Sequence, residues 1–339
     1  MHIDIALEPE YTADELAELA VLAERNNIST IWVTNDPQAR DLFMLFTKAA
    51  AVTKKIRLGV MAVSPLEMHP LKLAASLHTL NEMSGGRASL VVGGGGAILA
   101  NTRLDLSRRV QAVKECIAIL KGTDAKRPLN FDGDLFPVWN FQPRWVIDPP
   151  PRVLAGANRT QMLRMAARRA DGIHMSDMPL PLVAETRQIV EQALAANDRS
   201  APDFEFNNFW AFHVKADQAA AEREARSRLV LRGMLKHFYI EPFLNAADVQ
   251  LVRDNMQSFY SAFHKHDGVI AAVPEPLVDT LIEKLTLTCA VDNLETHLAE
   301  LHDFAAAGLT HITLGLHDDP ADAIRLIGER VVPALQKSP

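Results

Sequence analysis

The chain has 339 residues, a net charge of −7 and 48% hydrophobic residues. That composition suits a soluble globular protein with a large core, and its mild acidity gives no reason to expect nucleic acid as a partner. Only short basic clusters occur, such as Arg164, Arg168 and Arg169, which read as a solvated helix face. Cys116 and Cys289 are the two cysteines, far apart and outside any CxxC or Cys/His spacing. A structural metal site and a disulfide framework are therefore not expected, which suits a reducing cytoplasm. The N-terminus lacks a basic segment followed by a long apolar run, so it does not read as a signal peptide. No stretch approaches the ~20 apolar residues of a membrane span. The expectation is a cytoplasmic protein acting on a small molecule.

Along the chain, short strands alternate with longer helices. His2 to Leu7 reads as a strand. Thr12 to Asn26 carries apolar residues at helical spacing, with Thr12 and Glu15 placed as a capping box. Thr30 to Thr34 is the next strand, Asp41 to Val52 a helix, Ile56 to Val60 a strand and His69 to Met83 a helix. Ala88 to Val92 is a strand, and Leu106 to Leu120 a helix. The second half repeats the rhythm: strand Arg152–Ala155, helix Thr160–Arg169, strand Gly172–Met175, helix Pro181–Ala196 and a longer strand Phe204–Val214. Strand His311–Leu314 and helix Ala321–Leu335 end it. Eight such units predict an α/β protein, a single (β/α)8 TIM barrel spanning residues 1–339 as one domain.

Two stretches break the rhythm. Residues 130–151, with five prolines and Asp132-Gly133-Asp134, read as an insertion before the fifth strand, hairpin-like in character. Residues 236–276 form a helical, aromatic insertion between strands seven and eight, with Phe238, Tyr239, Phe243, Phe259, Tyr260 and Phe263. At the barrel mouth it would line or lid a site; elsewhere it would be a packing or dimer element.

A barrel of this kind places its chemistry at the C-terminal strand ends. That rule selects Glu8 and Glu10, then Asn35 and Asp36, then Met61, Ala62, Val63 and Ser64. It continues with Gly93 to Gly96, Ala155 to Arg159, His174, Ser176 and Asp177, His213, and His317 with Asp318. The four glycines fail the dinucleotide fingerprint, because Ile98 or Leu99 stands where glycine or alanine is needed. What they supply is a strand end without side chains, which a flat ring can approach closely. The turn Ala155-Gly156-Ala157-Asn158-Arg159-Thr160 opens a helix whose backbone N–H groups favour an anion. Neither a nucleophile elbow nor HExxH occurs, so hydrolase and metalloenzyme readings lack support. His78, His264 and His266 read as core or solvated histidines.

The residues around these strand ends resemble the bacterial luciferase-like family. The resemblance rests on Ile56-Arg57-Leu58-Gly59-Val60-Met61-Ala62-Val63-Ser64-Pro65 and on Leu80 to Arg87 running into Leu90 to Gly96. It rests also on Leu154 to Asn158 through Ala170-Asp171-Gly172-Ile173, and on Ala306 to His311. Short members of this family resemble methylenetetrahydromethanopterin reductase and other F420-dependent dehydrogenases, and this chain is nearer to those. The resemblance implies a dimer-forming oxidoreductase that binds coenzyme F420 or FMN at the strand ends. It also implies a cis peptide at Met61–Ala62 behind the ring, and a cofactor phosphate at Ala155 to Ala157. Asn35, Met61, Ala62, Ser64, Gly94, Ala155, Gly156, Ala157 and Asn158 are the expected cofactor-binding residues. Asp36, His174, His213 and Asp177 are the candidates for handling a proton. The alternatives are an FMN-dependent monooxygenase and a non-catalytic flavin-binding protein. The chain departs from F420 relatives in carrying Asn35-Asp36 where Asp-His is common. It departs from the sugar-phosphate dehydrogenase branch in having Gly96 in place of a glutamate.

Overall fold

The computed structural model describes residues 1–36, 38–96 and 104–336. Its strands are β1 (His2–Leu7), β2 (Thr30–Thr34), β3 (Arg57–Val63), β4 (Ala88–Val92), β5 (Leu129–Phe131), β6 (Val138–Phe141), β7 (Arg152–Gly156), β8 (Gly172–Ser176), β9 (Glu205–Lys215), β10 (Thr286–Ala290) and β11 (His311–Gly315). β1, β2, β3, β4, β7, β8, β9 and β11 pair in parallel in that order, and β11 returns to β1. They form a closed eight-stranded barrel with helices around it, the (β/α)8 fold expected from the alternation. All eight expected strands are in the ring. β5 and β6 form a separate antiparallel hairpin in the proline-rich insertion.

One strand was not foreseen. β10 pairs in parallel with Ala211–Lys215 at the far end of β9 and lies outside the ring. Its sequence, Thr-Leu-Thr-Cys-Ala, continues directly from the helix Glu275–Leu285, so no turn signal marks where it starts. The second insertion also begins earlier than expected, following the helix Gln218–Arg228.

Local signals account for the helix starts. The Thr12–Glu15 capping box forms, Thr12 N–H donating to Glu15 Oε2 at 2.8 Å and Glu15 N–H to Thr12 Oγ1 at 3.3 Å. Asp41 and Asp217 cap the helices Leu42–Val52 and Gln218–Arg228. Gly85 and Gly86, both at positive φ, end the helix Pro70–Met83 and turn the chain into β4. Arg87 then latches that corner, donating to the carbonyls of Ser84, Ile56 and Thr53.

Alternation along each strand divides the chain between two environments. Outward residues such as Ile3, Ile5, Leu58, Leu90, Val153, Ile312 and Leu314 are buried beneath the helices. Ala6, Trp32, Met61, Val91, Leu154 and Phe209 make a small apolar cluster of their own inside the ring. Bulky rings there lie over glycines: a Cβ on Gly59 would sit 2.2 Å from Trp32 Cε3, and one on Gly315 would sit 2.5 Å from the Phe209 ring.

Beneath this cluster the barrel is plugged by polar groups. Asp4 is fully buried and accepts from Trp32 Nε1 at 3.2 Å and Asn207 Nδ2 at 2.9 Å. Asn207 also donates to Glu205, which pairs with Arg152 at 2.6 Å. Thr313 Oγ1 donates to Asn207 Oδ1 at 2.9 Å and meets His174 Nε2 at 3.1 Å. Burial, and then the charge of Glu205, push the Asp4 carboxyl up from 3.8 to about 7.

The folded chain therefore holds the Asp4 proton across a pH range in which the unfolded chain has released it. Stability contributed by that proton is present at low pH and lost as pH rises toward 7. Asp4→Asn keeps an acceptor for Trp32 and Asn207 and removes the titration. The variant is expected to gain stability relative to the parent between pH 4.5 and 7.5, measured by thermal unfolding at both values. Parallel shifts in the two proteins would contradict this account of the plug.

Candidate active site at the barrel mouth

Three strand ends form a shelf on one side of the mouth. Between Val60 and Val63, two residues of β3 stand against one of β4, so the edge bulges. The bulge holds Met61 and Ala62, joined by a cis peptide bond. Met61 is buried and Ala62 exposed. Asn35 braces the bulge from β2: its N–H donates to Met61 O at 2.6 Å, and its side-chain amide to Ala62 O at 3.3 Å and to the Glu67 carboxylate. Ser64, buried, closes the following turn by accepting from the N–H of Leu66.

Beside the bulge lie glycines. A Cβ on Gly93 would approach that of Ala62 to 3.0 Å, and one on Gly94 would stand 3.3 Å from Arg109 Cδ. Gly156 packs next to Gly93, its Cβ position 3.6 Å from the Gly93 Cα. Ala155, Gly156 and Ala157 lead to the helix Thr160–Arg169, whose N-terminus has no side-chain cap. Its first amides are therefore free for an external acceptor.

Asn158 is spent within the protein. Its Oδ1 accepts from Ser176 N–H at 3.1 Å, and its Nδ2 donates to Ser176 O at 3.1 Å and to the Tyr239 hydroxyl. Asp177, 1% exposed, is gripped by Arg232, whose Nε and Nη2 each donate at 2.8 Å. Arg232 also lies over Phe209, 4.0 Å from the ring centre. Arg159 stacks similarly on Phe238, at 4.4 Å. The second insertion thus meets the mouth, through Arg232, Phe238 and Tyr239.

The opposite wall follows from alternation. Ala6, Ala211 and Gly315 are inward positions, so Glu8, His213 and His317, two residues later on adjacent strands, face the same side. The His213 and His317 rings stack 5.5 Å apart and 16° from parallel. Glu224 Oε1 lies 2.7 Å from His213 Nδ1, and Lys215 Nζ 2.6 Å from Glu224 Oε2. Glu8 Oε1 is 3.0 Å from Arg228 Nη1 and 3.1 Å from His317 Nδ1, the latter without a hydrogen-bonding angle. Burial opposes charge on Glu224, but His213 and Lys215 outweigh it and hold the carboxyl down to about 2. Burial lowers both imidazoles, His317 strongly, so the pair sits neutral. With His213 Nδ1–H given to Glu224, its Nε2 is a bare acceptor, and it has no partner among the described residues.

The four proton-handling candidates are not brought together. Asp36 is exposed in the loop after β2, where it accepts from Gln38 N–H at 2.9 Å. His174 lies inside the barrel, edge-on to Trp32, and burial drives its pKa down to about 3. Asp177 belongs to the Arg232 clamp, and His213 to the histidine stack. Sequence reasoning noticed Glu8 and His317 at strand ends but did not join them to His213; the two-residue step from Ala6, Ala211 and Gly315 carries that signal. Arg232 was not singled out, and Leu231-Arg232-Gly233 matches none of the motifs considered.

The family model described as luciferase-like monooxygenase matches residues 2–311. A 5,10-methylenetetrahydromethanopterin reductase of Archaeoglobus fulgidus is 23% identical over 99% of this chain and 100% of its own length. The structure of the coenzyme F420 dependent tetrahydromethanopterin reductase from Methanopyrus kandleri superposes with a TM-score of 0.82, at 20% identity, covering 98% of this chain and 99% of that one. An F420-dependent secondary alcohol dehydrogenase, solved with an F420-acetone adduct, superposes with a TM-score of 0.75 at 18% identity, covering 99% of both chains. The glycine-lined shelf at the barrel mouth thus stands in a chain that belongs to the luciferase-like monooxygenase family, an oxidoreductase of that kind.

Proposed function

We propose that this protein is an F420-dependent reductase or dehydrogenase, moving hydride between the deazaflavin and a small organic substrate. The observation that carries the reading is the shelf: the β3 bulge beside Gly93, Gly94 and Gly156, with an uncapped helix N-terminus at its edge. A planar ring needs a flat surface free of side chains, and a phosphate needs free amides; both occur side by side. Ala62 and Gly94 would support the ring, and Gly156 would stand between ring and phosphate. The amides from Asn158 to Thr160 would face the phosphate, the Ala157 N–H being given to the His174 carbonyl at 3.3 Å. Bound there, the cofactor would supply a two-electron hydride carrier.

The chain's own groups do the rest. Asn35 holds the bulge in place. Phe209 and Arg232 form a surface on the inner wall of the mouth. Of the four proton candidates, His213 has the environment of a base, with Nδ1 tied to Glu224 and Nε2 open. It is fully buried, so a proton would reach it by way of His317 or Glu8 at the same wall. The likeness to two F420-dependent enzymes along nearly the whole chain supports the cofactor choice. FMN is the competing cofactor, because the family also contains monooxygenases.

Titration of the purified protein with F420 and with FMN, followed by absorbance and fluorescence, tests this directly. F420 is expected to bind at least about tenfold more tightly, a difference of about 1.4 kcal/mol. Tighter binding of FMN would move the protein to the monooxygenase reading, and binding of neither would remove both.

Gly156→Asp is expected to weaken cofactor binding by about tenfold or more, since a carboxylate would stand beside the phosphate. Its Cβ has ordinary clearance, 3.5 Å to Val91 Cγ1, so the variant should fold. Unchanged affinity in a folded variant would take this turn out of the site.

A further inference from the structure

The hydrogen-bond directions around Asn158 leave one buried donor unspent. Ser176 N–H can only donate and Ser176 C=O can only accept, so the two contacts fix which end of the Asn158 amide is oxygen and which is nitrogen. Nδ2 is then the group facing Tyr239, and the phenol oxygen is an acceptor in that contact. The hydroxyl hydrogen of Tyr239 must point elsewhere, and among the described residues no acceptor takes it. Tyr239 is 6% exposed, and burial raises its pKa to about 12, so the phenol keeps its proton. A buried O–H without an acceptor is costly and calls for a partner.

What lies beside it is the turn from Gly156 to Thr160. The helix that starts at Thr160 is ten residues long, and its first amides have no side-chain cap. A small open pocket runs along this edge, lined by Asn158, Arg159, Thr160 and Phe238 on the side of the turn and by residues of the next helix, Glu185 among them, across from it. Two neighbouring residues of the insertion hold two neighbouring residues of the turn: Tyr239 meets Asn158, and Phe238 lies under the Arg159 guanidinium. The orphan O–H, held at Asn158, and the free amides that start two residues later are therefore neighbours at the end of β7, and both are donors.

We infer that Tyr239 is a ligand-contact residue, donating its hydroxyl hydrogen to a phosphate oxygen of the group bound at the turn after β7. This rests on the reading of that turn as the cofactor phosphate site. Asn158 acts through Tyr239: its side chain is committed to Ser176 and to the phenol, so it sets the direction of the O–H. The insertion thereby becomes part of the cofactor site.

The test compares ring systems with and without their phosphate. Parent and Tyr239→Phe proteins are titrated with FMN and riboflavin, and with F420 and its phosphate-free chromophore. A hydrogen bond to a charged acceptor sets the size of the effect, about ten- to a hundredfold in affinity. The expected result is that Tyr239→Phe loses affinity for the phosphorylated member of each pair by that factor. Affinity for the phosphate-free member and the unfolding temperature stay as in the parent. A purely structural role would weaken both members alike. If the parent prefers the phosphorylated ligands and Tyr239→Phe keeps the same preference, the inference is wrong while the phosphate site stands. If the parent shows no preference at all, the phosphate reading of the turn falls, and this inference with it. 3-Fluorotyrosine at position 239 preserves the packing should the phenylalanine variant not fold. Its more acidic hydroxyl is expected to raise the phosphate preference, and an unchanged or lower preference would count against the inference.

Discussion

The closure of β11 onto β1 is the constraint from which the rest of the molecule follows. In a closed ring every second residue must fit the interior, whatever its chemistry. Here the lower interior is filled by Asp4, Asn207, Glu205, Thr313 and His174, a polar network in which each member except one Asp4 oxygen finds partners. Above it lies the layer with Trp32 and Phe209, whose rings cover Gly59 and Gly315. The interior is thus packed up to the level of Met61 and Phe209, and among the described residues the strand ends above that layer are what is left for a ligand. The candidate site lies at the mouth because the barrel below it is full.

Periodicity carried most of this architecture in the sequence. The eight ring strands, the capping box at Thr12 and the glycine corner after Met83 are set by neighbouring residues, so they can be read locally. β10 escaped because nothing separates it from its preceding helix, and its pairing with Ala211–Lys215 is a tertiary choice. The shelf was legible in outline, as glycines and a proline-terminated strand end. The bulge itself is a register shift between two strands, and so belongs to the pairing and not to either sequence alone.

The candidate acids and bases were the least legible part. Position after a strand says that a side chain is near the mouth, but not whether it is already used. Asp177 looked available and is the anchor of Arg232, which comes from 55 positions further along the chain. His174, named as a proton-handling candidate at a strand end, faces the interior. Asn158 was expected among the cofactor-binding residues, and its side-chain amide is given to Ser176 and Tyr239. In each case the partner arrives from another element, and only the fold reveals it.

The same pairing decides how the mouth must recognise charge. Arg228 faces Glu8, Arg232 faces Asp177 and Lys215 faces Glu224, while the two stacked imidazoles are neutral. Each of these cations is already matched by a carboxylate, so none brings an unspent charge to a bound anion. Under the proposed reading, a phosphate at the turn after β7 would meet the Arg159 guanidinium, which is stacked on Phe238 and not on a carboxylate, together with neutral donors of fixed direction. Those are the backbone amides that open the helix at Thr160 and hydroxyls such as that of Tyr239. Neutral donors of this kind stabilise an anion through the alignment of their dipoles, and alignment demands rigidity. The Asn158–Ser176 pairing and the Arg232 clamp on Asp177 supply it, by tying the ends of β7 and β8 to each other and to the insertion.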